Sequence, residues 1–499
     1  MNAGAPGLTL SETLAAAVGF DRAPVVASPV GSPGARWARS GLATLTGHVG
    51  APPILPARDY AGRLQTLIDT VRAFAATAGA DLDLGMDVYS GRAGEMGLGR
   101  RGKVSPNGTA RLLQTADGWL AVNLARLEDR DSVPAWIDCD FGDEPWAALE
   151  VAARSTTAAT LAEAGQGLGI PAAVVGGRDD DQWRTRAARS LNLGRMTTSP
   201  LPFMGEVARA QRSVGEGKWR TAHLPSPSPR VARVHLPHKW GRRSKGILPT
   251  KAPLVIDLSA LWAGPLCGHL FTRAGARVIK VESTRRPDGA RLGPPDFYNR
   301  LHAGQESVAL DFTTAESRAQ LARLIARADV VIEGTRPRAL EQLGVDVEAA
   351  FRANPALVWV SVTGYGRTGP WRNHVGFGDD AAAAGGLVAW DDAGAPVFVG
   401  DALADPVGGL MAAAGAFAAL ATGGGFLVDV ALREAAAWIA DAPALGDAER
   451  GRVNGEEGAW RLALDGVETP LAPPARLAPS GPTVDLGAHT AAVLAEIGR

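Results

Sequence analysis

Uninterrupted apolar runs alternate with stretches of helical periodicity between residues 253 and 420. Strands that are apolar throughout and alternate with helices predict a parallel sheet that is buried on both faces. The predicted strands are Pro253–Leu258, Arg277–Glu282, Ser307–Asp311, Asp329–Glu333 and Leu357–Val362. The pattern therefore predicts an α/β fold with a Rossmann-like parallel sheet.

One helix of this region is predicted from its start signal. Thr313-Thr-Ala-Glu316 matches a capping box, in which a Thr hydroxyl and a Glu carboxylate satisfy free amides at a helix start. The helix it opens carries Leu321, Leu324 and Ile325 on one face. No G-x-G-x-x-G segment joins a strand to a helix here, so a nicotinamide or flavin site is not expected.

Composition narrows the classes of protein to which the chain can belong. The 51 basic and 52 acidic residues nearly balance, so neither nucleic acid nor a membrane is an expected partner. Two cysteines, Cys139 and Cys267, exclude a disulfide framework and a cysteine zinc site, and no metal site is expected. Met1–Phe20 has no basic n-region, and Met411–Leu420 is too short to span a bilayer. We therefore expect a cytoplasmic protein.

The predicted sheet region resembles the N-terminal domain of the class III CoA-transferases. The shared pieces occur in the family's order: Val255-Ile-Asp-Leu-Ser259, Ala263-Gly-Pro265, Gly275-Ala-Arg-Val-Ile-Lys-Val-Glu282, Ser307-Val-Ala-Leu-Asp311, Ala328-Asp-Val-Val-Ile-Glu333, Leu340 to Gly344, Ser361-Val-Thr-Gly-Tyr-Gly366, Gly385-Gly-Leu387 and Ala404-Asp-Pro-Val-Gly-Gly-Leu410. The resemblance implies the family III fold, a large α/β domain with a smaller α+β domain.

The first half of the chain is also similar to the family, but to a later part of it. Gly85-Met-Asp-Val88, Asp117-Gly-Trp-Leu120 and Leu168-Gly-Ile-Pro-Ala-Ala-Val174 resemble segments that lead into and span the family's small domain. An internal repeat links the halves, since Ala73-Phe-Ala-Ala76 parallels Ala416-Phe-Ala-Ala419 and Asp87-Val88 parallels Asp429-Val430. Chance matching of short Ala and Gly strings stays open as the alternative.

These observations predict a rearranged chain with two partial copies of the family. The predicted divisions are an N-terminal extension 1–36, a partial copy with the small domain 37–223, a Pro-rich and basic linker 224–250, a Rossmann-like CoA-transferase domain 251–445 and a C-terminal segment 446–499. The linker contains the basic run His238–Lys245, which is either a clamp for CoA phosphates or a solvated connection.

The resemblance implies an acyl-CoA:carboxylate CoA-transferase that works through an aspartyl-CoA thioester. Asp405 matches the family's nucleophile because Gly409 follows four residues later and an Ala-rich stretch comes next; Asp401 is the second candidate. Asp405 before Pro406 is also a favoured pair for the N-cap and first residue of a helix, and both roles can hold together. In the first copy Asp59 is out of register, so a degenerate site is expected there.

The CoA contacts implied by the resemblance are only partly present. Candidate contacts are Trp262, Ala263, Arg285, Arg291, Arg336 and Arg338. Four positions depart from the family's pattern. Trp262 stands where the family has a Gln, and Gln305-Glu306 stands where it has a Lys-Arg pair. Gly334 replaces an Asn of the family, and Gln342 replaces an Arg. Lost positive charge argues for weakened, relocated or absent CoA affinity. A catalytically degenerate binding or scaffold subunit therefore stays open.

A racemase or isomerase is the third alternative, since one branch of the family uses a His and an Asp as two bases. His374 and the pair Asp379-Asp380 lie close to those positions but out of register. We expect Asp379-Asp380 to be a surface acidic pair.

The expected partners are acyl-CoA and a carboxylic acid as substrates, with no permanently bound cofactor. The resemblance implies a homodimer of interlocked chains. A monomer is possible if segments 40–95 and 385–440 pair within one chain. The small domain, residues 100–220, is expected to cover the CoA site.

Overall fold

The computed structural model describes residues 9–20, 22–139, 144–176, 252–478 and 481–497, together with the backbone of 191–195. The predicted linker 224–250 and its basic run lie outside the described residues.

A central sheet organises the second half of the chain. Its strands, from one edge to the other, are Leu191–Arg195, Phe426–Ala431, Val358–Thr363, Val330–Glu333, Leu254–Asp257, Arg277–Ser283 and Glu306–Leu310. The first of these is antiparallel to its neighbour, and the other six are parallel. Numbered along the chain, the parallel strands have the order 3-2-1-4-5-6 of a doubly wound sheet. The predicted parallel sheet is confirmed, with Phe426–Ala431 as an additional strand.

Helices of the second half connect these strands and extend beyond them. They are Ala263–Arg273, Pro295–His302, Ala315–Arg327, Pro337–Leu343, Val347–Ala353, Gly378–Ala384, Ala404–Ala421, Leu432–Ala440, Asp447–Arg450 and Thr490–Ile497, with a 3-10 turn at Gly289–Leu292. Two small antiparallel sheets accompany them, Val388–Trp390 with Pro396–Phe398, and Arg452–Asn454 with Arg461–Leu464 and Val467–Pro470.

The start of helix Ala315–Arg327 differs from the predicted capping box. Thr314 is the N-cap, and its hydroxyl accepts a hydrogen bond of 3.1 Å from the Ser317 amide. Thr313 instead donates its hydroxyl to Asp311 at 2.6 Å. The helix begins one residue later than predicted, so Glu316 is too near the cap to serve as the reciprocal carboxylate.

The helix Ala404–Ala421, here called the core helix, is buried along almost its whole length. It is long and apolar enough to cross a membrane by length and composition, but 83% of it is buried inside the fold, as in the core helix of a soluble protein. Small residues permit this packing. A Cβ atom at Gly409 would lie 2.5 Å from the carbonyl oxygen of Ala263, so the two helix backbones approach closely only because position 409 is glycine.

The first half of the chain supplies a helical layer and a small antiparallel sheet. Its helices are Leu10–Val18, Pro33–Arg39, Tyr60–Thr77, Asp87–Met96, Leu127–Asp131, Val133–Ile137, Pro145–Ser155 and Ala158–Gly167, with a 3-10 turn at Ala43–Leu45. The sheet pairs Ala110–Gln114 with Trp119–Asn123, and the latter with Ala172–Val174. This unit has its own hydrophobic cluster around Trp136 and Trp146, which agrees with the expected smaller α+β domain.

The two segments of the proposed repeat meet inside the chain. Helix Tyr60–Thr77, here called the companion helix, packs along the core helix, and both have 18 residues. The two segments differ further along the chain, because Asp87 begins a helix whereas Asp429 lies within a strand. Asp429 is in a strand because Phe426–Ala431 pairs with Val358–Thr363. Among the described residues, segment 81–88 has no such neighbour and forms no strand.

Candidate active site

The first turns of the core helix lie where the strand order of the sheet reverses. Gly409 of the core helix contacts Ala263, the first residue of the helix that follows strand Leu254–Asp257. The loop after the adjacent strand is also close, since a Cβ atom at Gly334 would lie 3.7 Å from the Ser259 side chain. Doubly wound sheets bind ligands at this kind of position, outside the carboxyl ends of the strands.

Asp405 is the second residue of the core helix and does not cap it. The N-cap position is occupied by Leu403, and the Asp405 amide donates to the Ala402 carbonyl at 2.9 Å. Ala402 has a φ of 44°, and this left-handed turn lets the helix start before Asp405. The N-cap interpretation of Asp405 is therefore wrong. Asp405 is a partly buried residue whose carboxylate does not serve as a cap, and the positive end of the helix dipole favours its ionised form.

A tight contact with Gly378 shapes the space around Asp405. A Cβ atom at Gly378 would lie 2.5 Å from Oδ2 of Asp405 and 2.4 Å from the carbonyl oxygen of Ala402. Because both distances are far below van der Waals contact, any larger residue at position 378 would displace the carboxylate. Desolvation raises the pKa of Asp405, and the Gly378 amide acts against this larger effect by lowering it.

The carboxyl groups of Asp379 and Asp401 act on Asp405, and Asp379 also acts on Asp380. These four residues are here called the acid cluster: Asp379, Asp380, Asp401 and Asp405. Asp379 accepts hydrogen bonds from the Ala402 amide at 2.9 Å and from Asn107 Nδ2 at 3.2 Å. Asp380 accepts from the Phe377 amide at 3.0 Å and from Asn123 Nδ2 at 3.1 Å. Asn107 and Asn123 belong to the first half of the chain, so that half contacts the cluster directly.

The pair Asp379-Asp380 is not on the surface, contrary to the expectation from sequence. Asp379 is 2% exposed and Asp380 is fully buried. They lie in helix Gly378–Ala384, every residue of which is buried. The short side chains of Ala381 to Ala384 allow this helix to pack on several sides at once, so two acidic residues at its start are enclosed with it.

Enclosure raises the pKa of every member of the acid cluster. Desolvation raises the pKa of Asp380 to about 8. It raises the pKa of Asp405 to about 7, with the Arg92 guanidinium opposing the shift. The pKa values of Asp379 and Asp401 are also raised by desolvation, and the charge of Asp401 raises that of Asp379 further. Carboxyl groups with such pKa values change protonation state near neutral pH.

Arg92 is the functional candidate that sequence reasoning missed. Its Nη1 atom lies 2.7 Å from Oδ2 of the fully buried Asp401. Its guanidinium stacks 5.2 Å from the ring centroid of Trp262 and 5.4 Å from that of Phe297. Arg92 and Asp401 are 309 positions apart, and no motif spacing connects them.

Several predicted CoA contacts already have partners within the protein. Trp262 is buried beneath Arg92, edge-on to Phe297 at 5.4 Å. Arg291 holds Glu282 through two hydrogen bonds of 2.9 and 2.7 Å. Arg285 pairs with Asp311 at 3.1 Å on the surface. Ala263 is buried against the core helix.

Arg336 and Arg338 are different, because they are exposed and make no ion pair with any described residue. The pKa of Arg336 is lowered by desolvation and then by the charges of Arg126, Arg338 and Arg286. These four residues are here called the arginine cluster. Arg126, from the first half, also lies 5.4 Å above the ring of Phe377, whose next residue is Gly378. The arginine cluster is therefore a neighbour of the acid cluster.

Residues that differ from the family at its CoA-contact positions also make contacts within the protein. Gln305 donates to the Leu301 carbonyl at 3.0 Å, and Glu306 pairs with Arg277 at 2.6 Å.

In the first copy, Asp59 is the N-cap of the companion helix, accepts a hydrogen bond of 2.9 Å from Gly62 and pairs with Arg36. Asp59 thus has the capping role that was expected of Asp405.

His374 lies among aromatic rings rather than in the acid cluster. Its ring centroid is 5.5 Å from that of Tyr365 and 5.9 Å from that of Trp371. Desolvation lowers the pKa of this imidazole.

The doubly wound sheet and the carboxylates at its switch point define an α/β protein with a candidate site for acid or nucleophilic chemistry. Residues 251–465 match the model of CoA-transferase family III. This region of the chain is therefore similar to that family.

Relatives of known activity match similar parts of the chain. The succinyl-CoA–D-citramalate CoA-transferase of Chloroflexus aurantiacus is 35% identical over 36% of this chain and 48% of its own length. The succinate–glutarate CoA-transferase of Agrobacterium fabrum is 32% identical over 37% of this chain and 51% of its own. The alpha subunit of the succinyl-CoA–L-malate CoA-transferase of Chloroflexus aurantiacus is 31% identical, with coverages of 54% and 62%.

A crystal structure of a CAIB/BAIF family protein from Brucella suis is 29% identical, covering 43% of this chain and 66% of the other, with a TM-score of 0.39. The chain spans about half the length of the first two of these relatives.

Proposed function

We propose that this protein transfers CoA between carboxylic acids and that Asp405 is the nucleophile. The observation that carries the proposal is the position of Asp405 in the first turn of the core helix. There Asp405 is partly buried, is not used as a cap and lies at the switch point of the sheet. The family match of residues 251–465 supports the reaction class.

The reaction proceeds through covalent intermediates on Asp405. Its carboxylate attacks the thioester carbonyl of the acyl-CoA, the C–S bond breaks, and a mixed anhydride and CoA thiolate form. The thiolate then attacks the aspartyl carbonyl, which releases the first acid as its carboxylate and leaves an aspartyl-CoA thioester. The acceptor carboxylate attacks this thioester, and the same two steps in reverse regenerate Asp405 and yield the new acyl-CoA.

The surroundings of Asp405 suit these steps. Gly378 leaves space beside Oδ2, and its amide favours the ionised carboxylate. The start of the core helix stabilises the negative charge that passes between thiolate and carboxylate. Asn107 and Asn123 bring the small domain onto the acid cluster, where it would exclude water that hydrolyses an anhydride.

The arginine cluster is the proposed site for the phosphates of CoA. Arg286, Arg336 and Arg338 come from the second half and Arg126 from the first, and, after desolvation, the charges of the other three all lower the pKa of Arg336. A bound phosphate would relieve this repulsion and accept several charge-assisted hydrogen bonds. Binding there replaces the phosphate contacts that Gln305, Glu306 and Gln342 cannot make.

Succinyl-CoA with a dicarboxylic acceptor is the first substrate pair to assay, because the relatives named above act on such acids. The test is transfer of radiolabelled CoA from succinyl-CoA to citramalate, malate or glutarate. A parallel incubation in deuterium oxide reports exchange at the α-carbon. CoA transfer without α-exchange supports the proposal. Exchange without transfer indicates a racemase or isomerase, and CoA binding with neither reaction indicates a degenerate subunit.

A further inference from the structure

Helix Asp87–Met96 of the first half is seated directly on the C-terminal part of the second half. A Cβ atom at Gly94 would lie 2.1 Å from the carbonyl oxygen of Ala475, and one at Gly91 would lie 2.3 Å from Cδ1 of Leu477. At Gly94 the neighbour is backbone, so only glycine allows the helix to lie this close there, while at Gly91 the neighbour is the Leu477 side chain. The helix is therefore held at a fixed distance from the second half.

Polar contacts fix the same helix along its length. Ser90 Oγ accepts a hydrogen bond of 3.2 Å from the Ala475 amide. Glu95 pairs with Arg300, which also donates to the Ala478 carbonyl at 2.9 Å. Arg92 lies between Ser90 and Glu95, so its backbone is anchored on both sides.

The Arg92 side chain is guided towards the acid cluster by two aromatic rings. Trp262 and Phe297 belong to the second half, and the guanidinium lies against both. Beyond the rings it reaches Oδ2 of Asp401. The other oxygen of Asp401, Oδ1, is buried and has no hydrogen-bond partner among the described residues. A buried carboxylate with so few partners is stable only beside a cation.

The charges that face this site come from four elements. Asp379 and Asp380 begin helix Gly378–Ala384. Asp401 lies in the turn just before the core helix, and Asp405 lies within the core helix. On the helix of Arg92, Glu95 is neutralised by Arg300, and Asp87 acts on Arg300. Arg92 is the cation that acts on both Asp401 and Asp405.

We propose that Arg92 is the positioning residue of the active site: supplied by the first half of the chain, it holds Asp401 as a carboxylate and allows Asp405 to ionise at neutral pH. The catalytic part of this proposal rests on the proposed function, in which Asp405 attacks only as the carboxylate. The charge relationship itself is independent of that function. Asp401, which the Arg92 guanidinium contacts at 2.7 Å, precedes Asp405 by only four residues, so the same positive charge acts on Asp405. Loss of Arg92 is therefore expected to raise the pKa of the Asp405 carboxyl group.

The direct test is a ¹³C NMR titration of protein labelled at the Asp carboxyl carbons, with the Asp405 signal assigned by its loss in Asp405→Asn. Arg92→Met is expected to raise the titration midpoint of Asp405 by about 1 unit or more. Arg92→Lys keeps the charge and is expected to shift the midpoint less. Arg36→Met, which removes the equivalent partner of Asp59, is the matched control and should leave it unchanged.

Activity provides a second readout that a merely structural role would not produce. If Asp405 is the nucleophile, the acid limb of the kcat profile of Arg92→Met moves to higher pH, and activity recovers as the pH rises. An unchanged Asp405 midpoint in folded Arg92→Met overturns the proposal. If Arg92→Met does not fold, Arg92→Gln removes the charge but keeps a donor for Asp401, and an unchanged Asp405 midpoint in that variant overturns the proposal instead. A shifted midpoint in a protein without transferase activity refutes the proposed function and leaves the role of Arg92 standing.

Discussion

Arg92 and Asp401 form an ion pair of 2.7 Å across the two halves of the chain. The first half therefore does more than cover the second, because it supplies a charged side chain to the acid cluster. The companion helix packs along the core helix in the same region. The site around Asp405 is thus assembled from both halves of the chain.

The two aspartates of the repeat are expected to respond differently to substitution. Asp405→Ala should abolish transfer without unfolding the protein, since the carboxylate is not a cap. Asp59→Ala should leave activity largely intact but cost about 1 kcal/mol of stability, because it removes the N-cap of the companion helix. Rate assays and urea denaturation of both variants check this. Equal loss of activity at unchanged stability would show that the copies contribute alike.

How stability depends on pH follows from the buried carboxyl groups. The pKa values of Asp380 and Asp405 are raised to about 8 and about 7 in the folded protein, whereas in the unfolded chain they are near 3.8. The unfolded state therefore releases these protons first, so the free energy of unfolding contributed by these groups falls as the pH rises from about 4 to about 8. Urea denaturation over this range measures the slope. Asp380→Asn should make it shallower, and an unaltered slope would mean that Asp380 is already ionised in the fold.

The arginine cluster predicts which basic residue matters for CoA. Arg336→Ala should raise the KM for acyl-CoA about tenfold with a smaller effect on kcat, because a charge-assisted contact to phosphate is worth about 1.5–3 kcal/mol. Arg285→Ala is the matched control, since Arg285 already pairs with Asp311. Comparable KM increases in both variants would place the phosphates elsewhere.

Assembly distinguishes the homodimer implied by the resemblance from a monomer. Because the companion helix already covers the core helix within one chain, we expect a monomer of 51.7 kDa. Light scattering at micromolar concentration gives the mass. A mass twice as large would show that the internal pairing does not replace the second subunit.

Five strands of the sheet could be predicted from sequence because each is a local apolar run, whereas Leu191–Arg195 and Phe426–Ala431 were not predicted. The family register also led to Asp405. The burial of Asp379 and Asp380 could not be predicted, since it depends on how closely the Ala-rich helices pack. Arg92 was missed because its role arises only when distant segments meet. The start of the core helix was misplaced because the turn at Ala402 has no sequence signature, alanine being an unusual residue at positive φ.

The central claim is that Asp405 becomes covalently attached to the acyl or CoA group during turnover. The most direct measurement is to incubate the protein with succinyl-CoA, add hydroxylamine and locate the resulting hydroxamate by peptide mass spectrometry. We predict a hydroxamate on Asp405 that forms only in the presence of acyl-CoA and is absent from Asp405→Asn. A hydroxamate on Asp401, or transfer that proceeds with no modified aspartate, would contradict the account.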